Sequence, residues 1–232
     1  MKTRKLFLSA MLVTVVAAVD FGSAGASAAT LVHVYELEGD FLDSLGGPAL
    51  VPNGGTLGVN RYTFGANQGL SLTNGLVDTS DYSIVVVFEF DSLSPTWKKV
   101  IDFQQLSEDF GVYIEDDALS FFTLFSSPGG PDMVTANTDS QIVLTRDSAT
   151  QTVSGYLNGV LQWTSADPTG QAVSISNVLN FFEDDFDDLE AQSGSVDSIA
   201  IHDGALSADE VGFLFADGFE SGDTSAWSKT VP

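Results

Sequence analysis

The sequence contains no cysteine and very few basic residues. Without cysteine no disulfide can form, so burial of apolar side chains must stabilise the fold. Eight Lys and Arg residues stand against 32 Asp and Glu residues, which gives a formal net charge of −24. Nucleic acid and anionic membrane surfaces are bound through Lys and Arg, so we expect neither as a partner. An excess of carboxylates instead favours solubility or the binding of divalent cations.

Long apolar runs are also missing, with one exception at the N-terminus. Three basic residues among the first five precede the apolar run Leu6–Val19, and small residues ending in Ala26–Ala28 follow it. This pattern predicts a secretory signal peptide over residues 1–28, removed after Ala28. The run is too short to span a bilayer comfortably, so we expect no membrane span and a secreted or periplasmic protein.

The rest of the chain has the composition of one folded domain. Three of the basic residues and one acidic residue lie within positions 1–28, so the remainder carries a formal charge of −26. Such a charge can indicate disorder, but 44% hydrophobic residues and 17 Phe favour a real core. We expect one domain over residues 29–215 and a loose tail over residues 216–232. The alternative for the tail is a secretion or surface-recognition tag.

Short apolar and β-branched runs, separated by Gly, Pro, Asn and Asp, predict strands almost throughout this domain. The run Tyr82–Phe90 has the continuous apolar centre of a strand buried on both faces. Asn158–Gly159 suits a type I′ turn and predicts a hairpin. Many short strands with close turns indicate an all-β sandwich or barrel. The other predicted strands are Leu31–Leu37, Val100–Phe103, Gly111–Ile114, Leu119–Phe125, Gln141–Thr145, Thr152–Leu157, Val160–Trp163 and Val196–Ile201.

One short helix is predicted near the C-terminal end. Ser207 can cap it, and Glu210 can accept a hydrogen bond from the Ser207 amide in a capping box. Gly218 marks its predicted end. An apolar face would dock the helix on the strands. That face consists of Val211, Leu214 and Phe215.

Four segments, in this order along the chain, resemble a known family. Tyr35–Gly46 resembles the opening strand and loop of bacterial laminin-G-like domains, and Tyr82–Phe90 resembles their central strand. Gln141–Gly159 is similar to the strands around that fold's Asn-Gly hairpin, and Phe181–Val211 resembles its closing segment. The resemblance implies a two-sheet antiparallel jelly-roll sandwich of the concanavalin A type with one short C-terminal helix. It also implies carbohydrate binding, adhesion or protein interaction, often with calcium as a stabilising ion.

Catalytic residues are not expected. Glycoside hydrolases of this fold carry two glutamates flanking an aspartate on one strand, and Glu183–Asp185 with Glu190 departs from that spacing. Lyases of related jelly rolls need basic and tyrosine side chains in a groove, and this chain has only five basic residues after position 28. His33 and His202 lie in strand patterns and are interpreted as structural groups. We therefore expect a protein that is not an enzyme.

Calcium is the expected cofactor, because carboxylates converge in two places. The resemblance implies a structural ion at Asp197, with further ligands from near Glu38 or Asp40 and from the loop 65–69. The alternative for Asp197 is a hydrogen bond that closes a turn. The second place is an acidic loop, whose alternative role is a solvated surface. Its candidate ligands are Asp184, Asp185 and Glu190.

Large aromatic side chains are the candidates for ligand binding. Trp97 lies in a loop-like stretch where no core requires it, with Tyr113 as a second candidate. We expect a secreted, non-catalytic module that binds a polysaccharide or glycoconjugate. The first alternative is a structural or adhesive protein of the envelope or matrix that recognises an extracellular protein. A glycan hydrolase or lyase is the second alternative.

Overall fold

The computed structural model describes residues 29–94, 96–124, 130–185 and 190–218. The predicted signal peptide and residues 219–232 of the predicted tail lie outside this part of the chain. Residues 216–218 belong to the C-terminal helix, so the helix extends past the expected domain boundary at residue 215. Within the described ranges, no helix is both long and apolar enough to cross a membrane.

Two antiparallel sheets pack face to face around one apolar core. In spatial order, the eight-stranded sheet contains β12 (Val160–Ala166), β11 (Thr152–Leu157), β10 (Ser140–Asp147), β6 (Tyr82–Phe90), β14 (Gly194–Asp203), β4 (Tyr62–Phe64) and β3 (Thr56–Leu57), with β1 (Thr30–Tyr35) also paired to β14. The six-stranded sheet contains β2 (Val51–Pro52), β5 (Leu70–Thr73), β13 (Val178–Phe181), β7 (Trp97–Asp102), β8 (Gly111–Glu115) and β9 (Ala118–Phe122). This architecture confirms the predicted two-sheet sandwich.

Strand β6 lies in the middle of the larger sheet and is buried on both faces. Ile84, Val86 and Phe88 contribute to the core between the sheets. Val85 and Val87 belong to a second apolar cluster on the other face of the strand. The prediction of a strand buried on both faces is therefore confirmed, and β6 is the element on which both apolar layers meet.

The predicted Asn-Gly hairpin joins β11 to β12. Asn158 and Gly159 both have positive φ angles, 50° and 76°, as a type I′ turn requires. The Gln141 amide donates a hydrogen bond of 2.9 Å to Asn158 Oδ1. The asparagine side chain thus ties the turn to strand β10.

Helix α1, Ala208–Gly218, covers the outer face of the eight-stranded sheet. The Ser207 amide donates to Glu210 Oε2 at 2.8 Å, and the Glu210 amide donates to Ser207 Oγ at 3.4 Å. These two bonds confirm the predicted capping box. Val211 and Leu214 pack into the second apolar cluster, and the helix ends at the predicted residue, Gly218.

Each of the four basic residues in the described part is engaged in internal contacts. Arg146 Nε donates to Asp167 Oδ2 at 2.9 Å, and both side chains are buried. Lys98 and Lys99 are fully buried at the start of β7. Arg61 forms ion pairs with three carboxylates. The described surface therefore presents many carboxylates with little positive charge between them.

His202 is a buried histidine with no partner for its ring. It lies on β14 and is 5% exposed, and neither ring nitrogen has a hydrogen-bond partner among the described residues. Burial lowers the pKa of His202 to about 4, although the charge of Glu210 opposes this shift. The folded protein thus holds the neutral imidazole.

This burial makes stability depend on pH. The pKa of His202 is about 4 in the folded protein, against an ordinary value of 6.5. The unfolded chain therefore takes up a proton on this histidine below pH 6.5, and the free energy of unfolding decreases as the pH falls towards 4. A shift of that size corresponds to roughly 3 kcal/mol when the pH lies below both values. We expect His202→Leu to remove this part of the acid destabilisation, measured by urea unfolding between pH 7 and pH 4.

A Tyr156→Phe variant serves as the control, because it changes a side chain of the second apolar cluster and leaves both histidines in place. It should lose stability with falling pH as the unmodified protein does. An unfolding free energy of His202→Leu that falls with pH as steeply as that of the unmodified protein would contradict the interpretation.

Candidate binding site on the outer face of the six-stranded sheet

The outer face of the six-stranded sheet carries polar and aromatic side chains. Side chains alternate along a strand, so Val112 and Ile114 of β8 enter the core while Tyr113 faces outward. The strand register places Lys99 of β7 directly opposite Tyr113. The other outward-facing residues on the neighbouring strands are Trp97, Asp102, Ser120, Phe122 and Asn180.

A β-bulge in β7 allows this arrangement. The register with β8 shifts between Lys99 and Ile101, so Val100 is the extra residue. Val100 and Ile101 both pack in the core, whereas Lys99 lies on the outer face. The bulge therefore allows a lysine to sit beside two consecutive core residues.

The ammonium group of Lys99 is the buried cation of the site. Its side chain is fully buried, and Nζ donates to the Tyr113 hydroxyl at 2.6 Å. Nζ also lies 3.5 Å from Asp109 Oδ1 and 4.0 Å from Asp102 Oδ2. The Tyr113 hydroxyl in turn donates to Asp109 Oδ1. Burial and the neighbouring carboxylates raise the pKa of Tyr113 far above its ordinary value, so its hydroxyl stays protonated.

Asp102 lies beside Lys99 and is fully buried. Its Oδ1 accepts hydrogen bonds from the Asn180 side chain at 3.1 Å and from the Leu106 amide at 2.9 Å. Its Oδ2 has no hydrogen-bond partner among the described residues. Burial raises the pKa of Asp102. Asp102 therefore competes with Asp109 for the positive charge of Lys99.

Three carboxylates converge next to Lys99, and we call them the acidic cluster: Asp109, Asp184 and Glu190. Each offers one oxygen, and these three oxygens lie within 4.8 Å of one another. Asp109 belongs to the connection between β7 and β8, while Asp184 and Glu190 belong to the connection between β13 and β14. The cluster therefore joins two loops at the outer face.

Backbone hydrogen bonds position the two ends of the β13–β14 connection. The Lys99 amide donates to the Glu190 carbonyl at 2.8 Å, which fixes Glu190 beside strand β7. The Glu190 amide donates to Asp184 Oδ2 at 3.3 Å, and the Asp184 amide donates to Asn67 Oδ1 at 2.6 Å. The backbones of Asp184 and Glu190 are thus anchored to Asn67 and Lys99, and Glu190 in turn fixes one carboxylate oxygen of Asp184.

The acidic cluster concentrates negative charge. Burial, followed by the charges of Asp109 and Asp184, raises the pKa of Glu190 to about 7. Burial also raises the pKa of Asp184, although Lys99 opposes that shift. The carboxylates are therefore held close together against their mutual repulsion.

Three aromatic rings border the acidic cluster. Trp97 packs edge-to-face on Tyr113 at 5.4 Å and on Phe122 at 5.6 Å between ring centroids. Trp97 and Phe122 are partly exposed, whereas Tyr113 is fully buried. Because the Tyr113 hydroxyl reaches Asp109, the rings and the carboxylates form one continuous site.

The two predicted ligand-binding aromatics lie together, but in a different setting from the one expected. Trp97 is the first residue of β7 and pairs with Glu115, so the expected loop around it is wrong. The ring of Tyr113 is buried beneath its neighbours and cannot present an exposed face to a ligand. Phe122, which the sequence did not single out, is the second partly exposed ring.

The predicted acidic-loop ligands are partly brought together. Asp184 and Glu190 meet in the acidic cluster, whereas Asp185 lies outside it. Asp109 takes the third position. The local signal for Asp109 is weak, because Glu108–Asp109 reads as an ordinary acidic turn before β8.

Asp197 lies at a second acidic place, in a β-bulge of β14. Arg61 Nη2 lies 3.7 Å from Asp197 Oδ1, and the same guanidinium pairs with Glu89 and Asp139. Glu38 is close enough to raise the pKa of Asp197, although burial is the larger cause. A guanidinium thus already supplies positive charge where the resemblance implies calcium, so these residues fit an ion pair better than a metal.

A sandwich of two antiparallel sheets with a polar and aromatic outer face belongs to the jelly-roll class, which includes lectin domains. The sequence pattern of the Laminin_G_3 family, described as the concanavalin A-like lectin/glucanases superfamily, matches residues 64–212. The chain belongs to this family. No curated protein matches it.

Solved structures with the same fold come from several kinds of protein. Domain 4 of AbnA, a GH43 extracellular arabinanase from Geobacillus stearothermophilus, was solved with arabinotriose; it is 19% identical, with a TM-score of 0.62 over 81% of this chain and 99% of that one. A sialidase from Trypanosoma rangeli is 13% identical, with a TM-score of 0.66 over 82% of this chain and 33% of that one. The binding domain of botulinum neurotoxin serotype D is 12% identical, with a TM-score of 0.59 over 81% and 51% of the two chains. At these identities the likeness concerns the fold.

The contacts of Tyr113 predict a measurable cost for removing its hydroxyl. Tyr113→Phe deprives Lys99 and Asp109 of a buried hydrogen-bond partner. We expect a loss of about 1–3 kcal/mol in the free energy of urea unfolding. Tyr156→Phe is the matched control, because the Tyr156 hydroxyl has no hydrogen bond among the described residues. That variant should change stability by less than about 0.5 kcal/mol. Equal effects in the two variants would show that the Tyr113 hydroxyl does not organise the site.

Proposed function

We propose that the protein is a secreted, non-catalytic carbohydrate-binding module that uses the outer face of its six-stranded sheet. One observation carries the proposal. The partly exposed rings of Trp97 and Phe122 lie beside the acidic cluster, and Tyr113 connects the two. The predicted signal peptide over residues 1–28 supports secretion.

The chemistry of this face suits a sugar. A pyranose or furanose presents apolar C–H groups to an aromatic ring and hydroxyl groups to carboxylates, and sites of this kind combine apolar walls with a few placed polar groups. Tyr113 links the two parts of the face, because its ring packs on Trp97 and its hydroxyl donates to Asp109 of the acidic cluster. The arabinotriose complex of the GH43 domain supports the proposal by showing that a domain of this fold can hold an oligosaccharide.

The placement of the carboxylates supports a role without catalysis. Glycoside hydrolases hold an acid and a second carboxylate at a fixed separation across the scissile bond. Here the acidic cluster is drawn from two loops, and the nearby cation, Lys99, is buried beneath it. The Lys99 ammonium already contacts Tyr113 and Asp109 within the protein. An arrangement of this kind fits binding better than acid–base chemistry.

The test compares a partly exposed aromatic residue on one outer face of the sandwich with an exposed one on the opposite outer face. We expect Trp97→Ala to weaken binding to glycan-array hits about fivefold, because one ring–sugar contact contributes on the order of 1 kcal/mol. Phe213→Ala is the control, since Phe213 is 42% exposed on helix α1. It should bind as the unmodified protein does.

Three outcomes would count against the proposal. An array without a hit, together with capture of an extracellular protein, would favour the adhesive alternative. Release of new reducing ends from a bound glycan would overturn the non-catalytic part. Equal loss of binding in Trp97→Ala and Phe213→Ala would place the site away from the six-stranded sheet.

A further inference from the structure

The acidic cluster has a feature that its protein partners do not explain. Asp184 is 5% exposed, and its Oδ1 is buried without a hydrogen-bond partner among the described residues. The same side chain contributes an oxygen to the convergence with Asp109 and Glu190. A buried and unsatisfied carboxylate oxygen is costly, and an ion or water at that position is the usual explanation.

The charge around the cluster is unbalanced. Lys99 Nζ lies 3.5 Å from Asp109 and 4.0 Å from Asp102, so one ammonium serves two carboxylates. Within the described ranges, neither Asp184 nor Glu190 has an ion pair within 4.0 Å. Four carboxylates therefore share one buried cation. A water molecule could satisfy Asp184 Oδ1 but would leave this excess of negative charge.

The donor set defines the class of ion. All three ligand atoms are carboxylate oxygens, which hard divalent cations prefer, whereas zinc sites usually include imidazole or thiolate. The chain has no cysteine, and both histidines lie on strands of the other sheet. Calcium tolerates an irregular shell completed by water, so three carboxylates from two loops suit it better than magnesium.

We propose that Asp109, Asp184 and Glu190 bind one calcium-class divalent cation, which ties the β7–β8 connection to the β13–β14 connection. The cation supplies the partner that Asp184 Oδ1 lacks and offsets the negative charge that Lys99 leaves. It lies beside Trp97 and Tyr113 and therefore orders the acidic border of the aromatic face. The site does not depend on whether the protein binds sugar.

The experiment titrates calcium chloride into chelator-treated full-length protein and follows heat by calorimetry and the thermal midpoint by circular dichroism. A ligand that binds only the native state raises the midpoint. Asp184→Asn should weaken calcium binding by roughly tenfold or more, because ligand charge sets the affinity of such sites. Asp185→Asn removes the same charge from the same loop outside the cluster, and its affinity should stay within about threefold of the original.

Two further variants keep the result decisive. Glu190→Gln repeats the test if Asp184→Asn fails to fold, with folding judged by the far-ultraviolet spectrum in chelator. Asp197→Asn reports on the place occupied by Arg61 and should leave calcium affinity unchanged. Identical melts with chelator and with calcium, and no heat of binding, would overturn the proposal. So would calcium binding that survives Asp184→Asn and Glu190→Gln but is lost in Asp197→Asn.

Discussion

The ammonium group of Lys99, buried among carboxylates on the outer face of the six-stranded sheet, is the interaction on which the site depends. The bulge at Val100 turns this lysine outward while the two residues that follow it fill the core. Its Nζ fixes Tyr113 and approaches Asp109, and its amide holds the carbonyl of Glu190. Because a buried charge is tolerated only when it is paired, the surrounding loops are drawn towards this point. The aromatic and acidic parts of the face are thereby brought together.

The two outer faces of the sandwich are covered by different kinds of side chains. On the eight-stranded sheet, helix α1 packs on an apolar cluster through Val211 and Leu214, so apolar contacts cover this face. On the six-stranded sheet, loops cover a charged layer, and partly exposed rings remain at its border. Most positive charge in the described part is used internally, so the surface that a ligand meets is acidic. A neutral sugar and a cation are both compatible with such a surface, whereas a polyanion is not.

The sequence predicted those features that are local along the chain. The buried strand Tyr82–Phe90, the Asn158–Gly159 turn and the Ser207 capping box each follow from residues within a few positions, and each is confirmed. The meeting of Asp184 with Asp109 could not be predicted, because it depends on the order of strands in a sheet. A proline and two lysines flank Trp97 and favour a loop there, yet the residue begins a strand. Both lysines are buried, because their ammonium groups have partners within the protein. Lys98 donates to a loop carbonyl, and Lys99 pairs with a carboxylate.

We propose that the unbalanced charge of this face makes it a cation site. The most direct measurement is an anomalous difference map from crystals grown with terbium chloride, a hard cation that occupies calcium sites. We expect a peak within coordination distance of carboxylate oxygens from Asp109, Asp184 and Glu190, with Lys99 still bonded to Tyr113. A map with no peak there, or with its peak only beside Asp197, would contradict the claim.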